Sequence, residues 1–155
     1  SPVDPSFVLA LMRQESIFDD QIASPVGARG LMQIMPATAK IVAKKIKSTY
    51  SKNLLTTDVN YNIKLGTYYF SSLLEDYDGV YPYAIGAYNA GPNRIKTWIK
   101  KYGDPNRGEI SFIDWVELIR FKETRNYVQR VIENINVYKQ TLNDKPVKID
   151  NFFRG

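Results

Sequence analysis

Apolar side chains return every three or four residues along most of this chain, and nowhere do they alternate for long enough to make a strand. That spacing commits the sequence to helices. The first is predicted to start at Asp4-Pro5, where Asp caps and Pro takes the first helical position, and to bury Phe7, Val8, Leu11 and Met12. A second opens at Met35-Pro36 and runs to about Lys47, with Ile41, Val42 and Ile46 facing inward and Lys40, Lys44, Lys45 and Lys47 outward. After a connector at Leu54 to Thr57, Asp58 caps a long helix from Val59 to about Tyr77, stopped by Asp78-Gly79. Further helices are predicted from Val80 to Ala90, interrupted at Gly86, and from Pro92 to Gly103. A polar loop over Asp104 to Ile110 leads to a short helix from Ser111 to Leu118, and a last one runs from Lys122 to Leu142. The expected fold class is mainly α: one domain of about seven helices with little or no sheet. Residues 143–155 carry no clear period and read as a C-terminal tail, with Phe152-Phe153 exposing apolar surface.

At 155 residues the chain is long enough for a substantial core. It contains no Cys and no His, which excludes Ser-His-Asp triads, cysteine nucleophiles and histidine zinc sites. Acid–base chemistry must therefore come from Asp, Glu, Lys or Tyr. The formal net charge of +5 suits an anionic partner, but Lys and Arg are spread along the chain. No concentrated basic face marks a nucleic-acid binder. No run is long and apolar enough to span a bilayer. The chain opens on a helix directly after Ser1-Pro2, as a piece of a longer precursor would.

Three stretches stand apart from the helical pattern. In the first, Glu15 lies three and four residues past Met12 and Leu11, so it shares their inward side. An unpaired carboxylate there is costly unless it is held or protonated. A plainer reading is a Glu that reaches solvent or pairs with Arg13 or Arg29. The loop that follows has its path fixed by Pro25, Gly27 and Gly30, and Gln33 is a single amide in the apolar run Leu31 to Met35. In the second stretch, Ala87-Tyr88-Asn89-Ala90-Gly91-Pro92 ends a helix with Tyr and Asn beside small residues; the plainer reading is a tight helix–helix turn. In the third, Glu123 begins a helix, where a negative charge is favourable against the dipole whatever else it does.

Taken together, five segments resemble the catalytic domain of soluble lytic transglycosylases, relatives of goose-type lysozyme. They are Arg13-Gln14-Glu15-Ser16, Ser24-Pro25-Val26-Gly27-Ala28, Gly30-Leu31-Met32-Gln33-Ile34-Met35-Pro36, Ala87-Tyr88-Asn89-Ala90-Gly91-Pro92 and Glu123-Thr124-Arg125-Asn126-Tyr127-Val128. They stand in family order and cover about residues 1 to 142, which marks that span as the catalytic domain. The resemblance implies a lysozyme-like fold. It implies cleavage of the β-1,4 bond between N-acetylmuramic acid and N-acetylglucosamine in peptidoglycan strands, closing a 1,6-anhydro ring. It implies a periplasmic location, and no metal or cofactor. Some members carry a large helical region upstream of this domain.

By the same resemblance Glu15 is the single catalytic acid/base, its proton retained by an apolar surround drawn from Leu11, Met12, Leu31, Met32 and Met35. Ser24, Gln33, Met35, Tyr88 and Glu123 match residues that line the groove or contact the glycan, and Asn89 beside Tyr88 is counted with them. Asp19 is four residues past Glu15, but it reads as a helix-end residue and not as a second catalytic carboxylate. The substrate's own N-acetyl group is then expected to stabilise the cationic centre. A hydrolytic goose-type lysozyme and a non-catalytic glycan-binding module of the same fold are the alternatives.

Overall fold

The computed structural model describes residues 3–143, so the tail and its Phe152-Phe153 lie outside the described residues. Among these residues there are eight α-helices and no strand. They are α1 (Pro5–Ser16), α2 (Pro36–Lys45), α3 (Leu54–Thr57), α4 (Val59–Asp76), α5 (Tyr81–Ala90), α6 (Pro92–Tyr102), α7 (Phe112–Glu117) and α8 (Lys122–Asn143), with a 3-10 turn at Pro105–Arg107. The mainly α class holds. The count exceeds the expected seven because Leu54 to Thr57, read as a connector, closes one helical turn on the carbonyl of Asn53. The chain divides into two compact units, Ser1–Ser71 and Ser72–Gly155.

In the first unit, α1 begins as expected: Asp4 Oδ1 accepts from the Ser6 amide at 2.9 Å and Pro5 takes the first helical position. A core gathers Ile34, Ala39, Val42, Ala43, Leu55, Tyr61 and Leu65, with Ile46, Tyr50 and Tyr69 packed at its edge. Each fully buried aliphatic side chain there contributes roughly 1.5–3 kcal/mol against exposure. Ile41, expected inside, is 59% exposed. The inward stripe of α2 runs through Ala39, Val42, Ala43 and Ile46, and Ile41 falls off it. The helix also ends earlier than expected, at Lys45, because Lys47 turns left-handed (φ 56°).

In the second unit, α5 packs on both α6 and α8, and α7 packs on α8. Gly86 does not interrupt α5, which runs unbroken to Ala90. A Cβ at Gly86 would lie 2.7 Å from Ile95 Cδ1 of α6, so the glycine serves close packing. Around Tyr83 an aromatic cluster forms, with Tyr77, Phe112 and Trp115 at ring-centroid distances of 5.1–5.8 Å. Ser111 caps α7 through Oγ, which accepts from the Asp114 amide at 3.1 Å.

Candidate active site

The first unit carries Glu15, Ser24, Gln33 and Met35; the second carries Tyr88, Asn89 and Glu123.

Glu15 is half-buried in the last turn of α1. Leu11 and Met12, one turn before it, are buried. Ser16 is buried beside it and donates through Oγ to the Met12 carbonyl at 2.9 Å, which holds this turn of the helix. The helix then stops hard: Ile17 and Phe18 both adopt positive φ (53° and 61°).

The segment that follows folds back on itself. Ser24 ties off the turn of residues 24–28, its amide donating to the Ala28 carbonyl at 2.9 Å and its Oγ accepting from the Ala28 amide at 3.0 Å. Isolated bridges pair Ala23 with Arg29 and Arg29 with Ile34. Gln33 is left-handed (φ 49°), and its Nε2 donates to the carbonyls of Gly30 at 2.9 Å and Ile22 at 3.1 Å. Both amide protons are thereby committed to the loop. Any contact of Gln33 with a ligand falls to Oε1, an acceptor.

Leu31 and Met32 are buried. Met35, at the entry to α2, is 39% exposed.

The residue that holds this loop was not found by motif. Asn62 of α4 is 1% exposed. Its Oδ1 accepts from the Met32 amide at 2.9 Å, and its Nδ2 donates to the carbonyls of Arg29 at 2.9 Å and Leu55 at 3.0 Å. One side chain thus meets three backbone groups of the loop and α3, of which the Arg29 carbonyl also accepts from the Ile34 amide at 3.2 Å. A signal existed in the sequence: an Asn placed one turn before Leu65 on the inward side of a long helix. Gly66, one turn further, lets Met32 Sδ approach to 2.5 Å from where a Cβ would stand.

In the second unit Tyr88 and Asn89 close α5, both half-buried. Asn89 Oδ1 accepts from Thr124 Oγ1 at 2.7 Å, and Thr124 is 2% exposed. This bond joins the end of α5 to the first turn of α8, where the exposed Glu123 stands next to Thr124. Asn89 and Glu123, far apart in sequence, are thus brought together, and Thr124 is the residue the sequence reading passed over. Asn89 Oδ1 is thereby committed to structure, so any contact of Asn89 with a ligand falls to Nδ2, a donor.

A second polar knot lies on the same unit. Tyr83, 3% exposed, donates through Oη to Asp104, whose Oδ1 also takes the Asn106 amide at 2.9 Å. Burial, then the hydrogen bond to Asp104, push the Tyr83 phenol well above the ordinary tyrosine range. Among the described residues no three of His, Cys, Asp and Glu gather as a metal ion would need. No helix among them is long and apolar enough to cross a membrane.

Chemically, the first unit carries the half-buried Glu15 carboxyl and, further along the chain, a hydrogen-bonded loop with acceptor and hydroxyl groups. Known proteins are similar to this chain in sequence and in fold. Residues 1–111 match the family model described as the transglycosylase SLT domain. The soluble lytic murein transglycosylase of Escherichia coli K12 is 38% identical over 142 residues, covering 91% of this chain and 21% of that protein. Its Salmonella typhimurium counterpart is 36% identical over 146 residues, covering 92% and 22%. The chain spans about a fifth of the length of these relatives. Among solved structures, the 70 kDa soluble lytic transglycosylase of E. coli superposes with a TM-score of 0.85 at 37% identity, over 93% of this chain and 23% of that one. An inactive glutamate-to-glutamine mutant of the lytic transglycosylase Slt of Pseudomonas aeruginosa gives 0.85 at 38%, over 95% and 23%. With the family model matched over most of its length and the fold shared, this chain belongs to the transglycosylase SLT domain family.

Proposed function

We propose that residues 1–142 form the catalytic domain of a peptidoglycan lytic transglycosylase, with Glu15 as its single acid/base. The observation that carries the reading is the setting of Glu15: a half-buried carboxyl in the turn after buried Leu11 and Met12. Apolar surroundings favour the protonated carboxyl, which is the form an acid catalyst needs. The Pseudomonas relative described as inactive differs from its active form by a glutamate changed to glutamine, in keeping with this role.

In the proposed reaction Glu15 gives its proton to the oxygen of the β-1,4 link between N-acetylmuramic acid and N-acetylglucosamine. The anomeric C–O bond breaks as that proton arrives. The N-acetyl group of the same sugar steadies the positive charge on the anomeric carbon. The C6 hydroxyl of that sugar then forms a bond to the anomeric carbon, and the Glu15 carboxylate takes its proton. Glu15 ends as it began, the 1,6-anhydro ring is closed and no water is consumed. An internal nucleophile at high effective concentration outruns solvent. Ser24, the Oε1 acceptor of Gln33, Met35, Tyr88, the Asn89 Nδ2 and Glu123 are assigned to contacts with the glycan.

The natural partner is then the peptidoglycan strand, and the working compartment is the periplasm. Relatives more than four times longer than this chain support a further region of the same precursor, which we place upstream of the domain. The test is digestion of purified peptidoglycan with products resolved by mass. Products lighter by one water than hydrolytic ones, lost in Glu15→Gln, carry the proposal; products of hydrolytic mass would make the chain a lysozyme. Binding without turnover by the unaltered chain would make it a glycan-binding module.

A further inference from the structure

Five non-glycine residues in the described chain have positive φ: Ile17, Phe18, Gln33, Lys47 and Asp78. Asp enters the left-handed region readily, and Gln33 is held there by two side-chain hydrogen bonds. Ile17 and Phe18 are different. They are consecutive, one is β-branched, and both are apolar. A β-branched residue at positive φ is a genuine outlier. Burial does not hold Ile17 there, since it is 83% exposed, and Phe18 still keeps 45% of its surface in solvent.

At several other positions the chain meets the same problem with glycine. Gly27, Gly79, Gly91 and Gly108 all have positive φ and nothing within 4 Å of where a Cβ would stand. At the end of α1 the cheaper residue is absent twice over. The backbone there is fixed from several sides. The Ile17 amide donates to the Arg13 carbonyl at 3.1 Å, the Asp19 amide to the Ser16 carbonyl at 3.0 Å, and Ser16 Oγ to Met12 at 2.9 Å. Strain that the surroundings over-determine and that no packing explains belongs with function.

The place names the function. Phe18 Cα lies three peptide units from Glu15 Cα, so the two are at most about 11 Å apart, within the span of a disaccharide. Sugar rings carry an apolar face of C–H groups, and an aromatic ring with a negative face is suited to receive it. We infer that Ile17 and Phe18 form an apolar platform for a sugar ring of the substrate glycan beside Glu15, held out to solvent at a backbone cost because that exposure is its use. This rests on the glycan-cleaving reading of the site, and it adds two substrate-positioning residues to it.

The test uses Glu15→Gln, to stop turnover, and measures its binding to purified insoluble peptidoglycan by sedimentation, with Phe18→Ala or Ile17→Gly added. Thermal unfolding of each variant is followed in parallel. Phe18→Ala is expected to weaken binding about tenfold without lowering the melting temperature. Ile17→Gly is expected to weaken binding while the melting temperature holds or rises, as relief of strain requires. Binding by Glu15→Gln that Phe18→Ala leaves within about twofold would overturn the platform and leave the functional reading intact. A melting temperature that falls with Ile17→Gly would overturn it too, because the side chain would then serve stability. If the unaltered chain neither bound nor digested peptidoglycan, the functional reading itself would fail and the platform with it.

Discussion

Asn62 and Gly30 compete for one space: a Cβ on Gly30 would sit 2.2 Å from Asn62 Nδ2 and 2.3 Å from the Leu55 carbonyl oxygen. The glycine is there so that the buried amide can reach the loop backbone. Asn62→Leu keeps the volume, strands the Met32 amide and the Leu55 carbonyl, and takes one of two donors from the Arg29 carbonyl, which still accepts from the Ile34 amide at 3.2 Å. A loss of roughly 3 kcal/mol or more is expected in chemical unfolding. Activity should fall below the unfolding transition as well, because the loop after Glu15 loses its anchor.

Gly30→Ala and Gly27→Ala separate space from conformation. Both glycines have positive φ (75° and 99°), but only Gly30 is crowded. Gly27→Ala is expected to cost about 1–2 kcal/mol, the left-handed penalty alone. Gly30→Ala adds a collision with backbone and should cost clearly more, read from paired denaturation curves.

Gln33→Glu tests how the amide is used. A carboxylate cannot donate to the Ile22 and Gly30 carbonyls that Nε2 now serves. Stability is expected to drop by roughly 2 kcal/mol together with turnover. A fall in turnover at unchanged stability would instead make Gln33 purely a ligand contact.

Tyr83 gives a pH dependence. Its folded pKa is raised above the ordinary 10.0, chiefly by burial and then by the hydrogen bond to Asp104. A raised pKa means the fold favours the protonated phenol. That stabilisation is complete below pH 10 and drains away as pH climbs beyond it toward the folded value. Melting temperature measured from pH 8 to 11 should decline more steeply in the unaltered chain than in Tyr83→Phe, which has no proton to lose.

Tyr88→Phe removes one hydroxyl from the end of α5. If Tyr88 contacts the glycan, kcat/KM should fall by roughly tenfold or more while unfolding shifts by less than about 1 kcal/mol. Equal losses in both measurements would return Tyr88 to the core.

What the sequence disclosed, it disclosed where the signal is local. Asp4-Pro5, Asp58, Pro92 with Gly103, and Ser111 mark helix ends through groups within a few residues of one another, and each stands where expected. What it hid depends on a distant partner. Gly86 looks like a breaker until Ile95 is seen to need its room. Ile41 looks inward by composition, yet the stripe through Ala39 and Val42 passes it by. The site divides in the same way. Glu15 and its loop were legible as a motif. The inward use of Gln33, the exposure of Met35, and the clamps Asn62 and Thr124 come from backbone carbonyls and side chains 3 to 35 positions away.

The bond from Thr124 to Asn89 also bears on how short this protein can be made. The family match ends at residue 111, before α8 begins. Cutting the chain there would amputate the latch and strip α8 from α5. A shortened version that keeps this latch must therefore reach into the last helix, and a truncation drawn along the boundary of the match would leave Asn89 without Thr124.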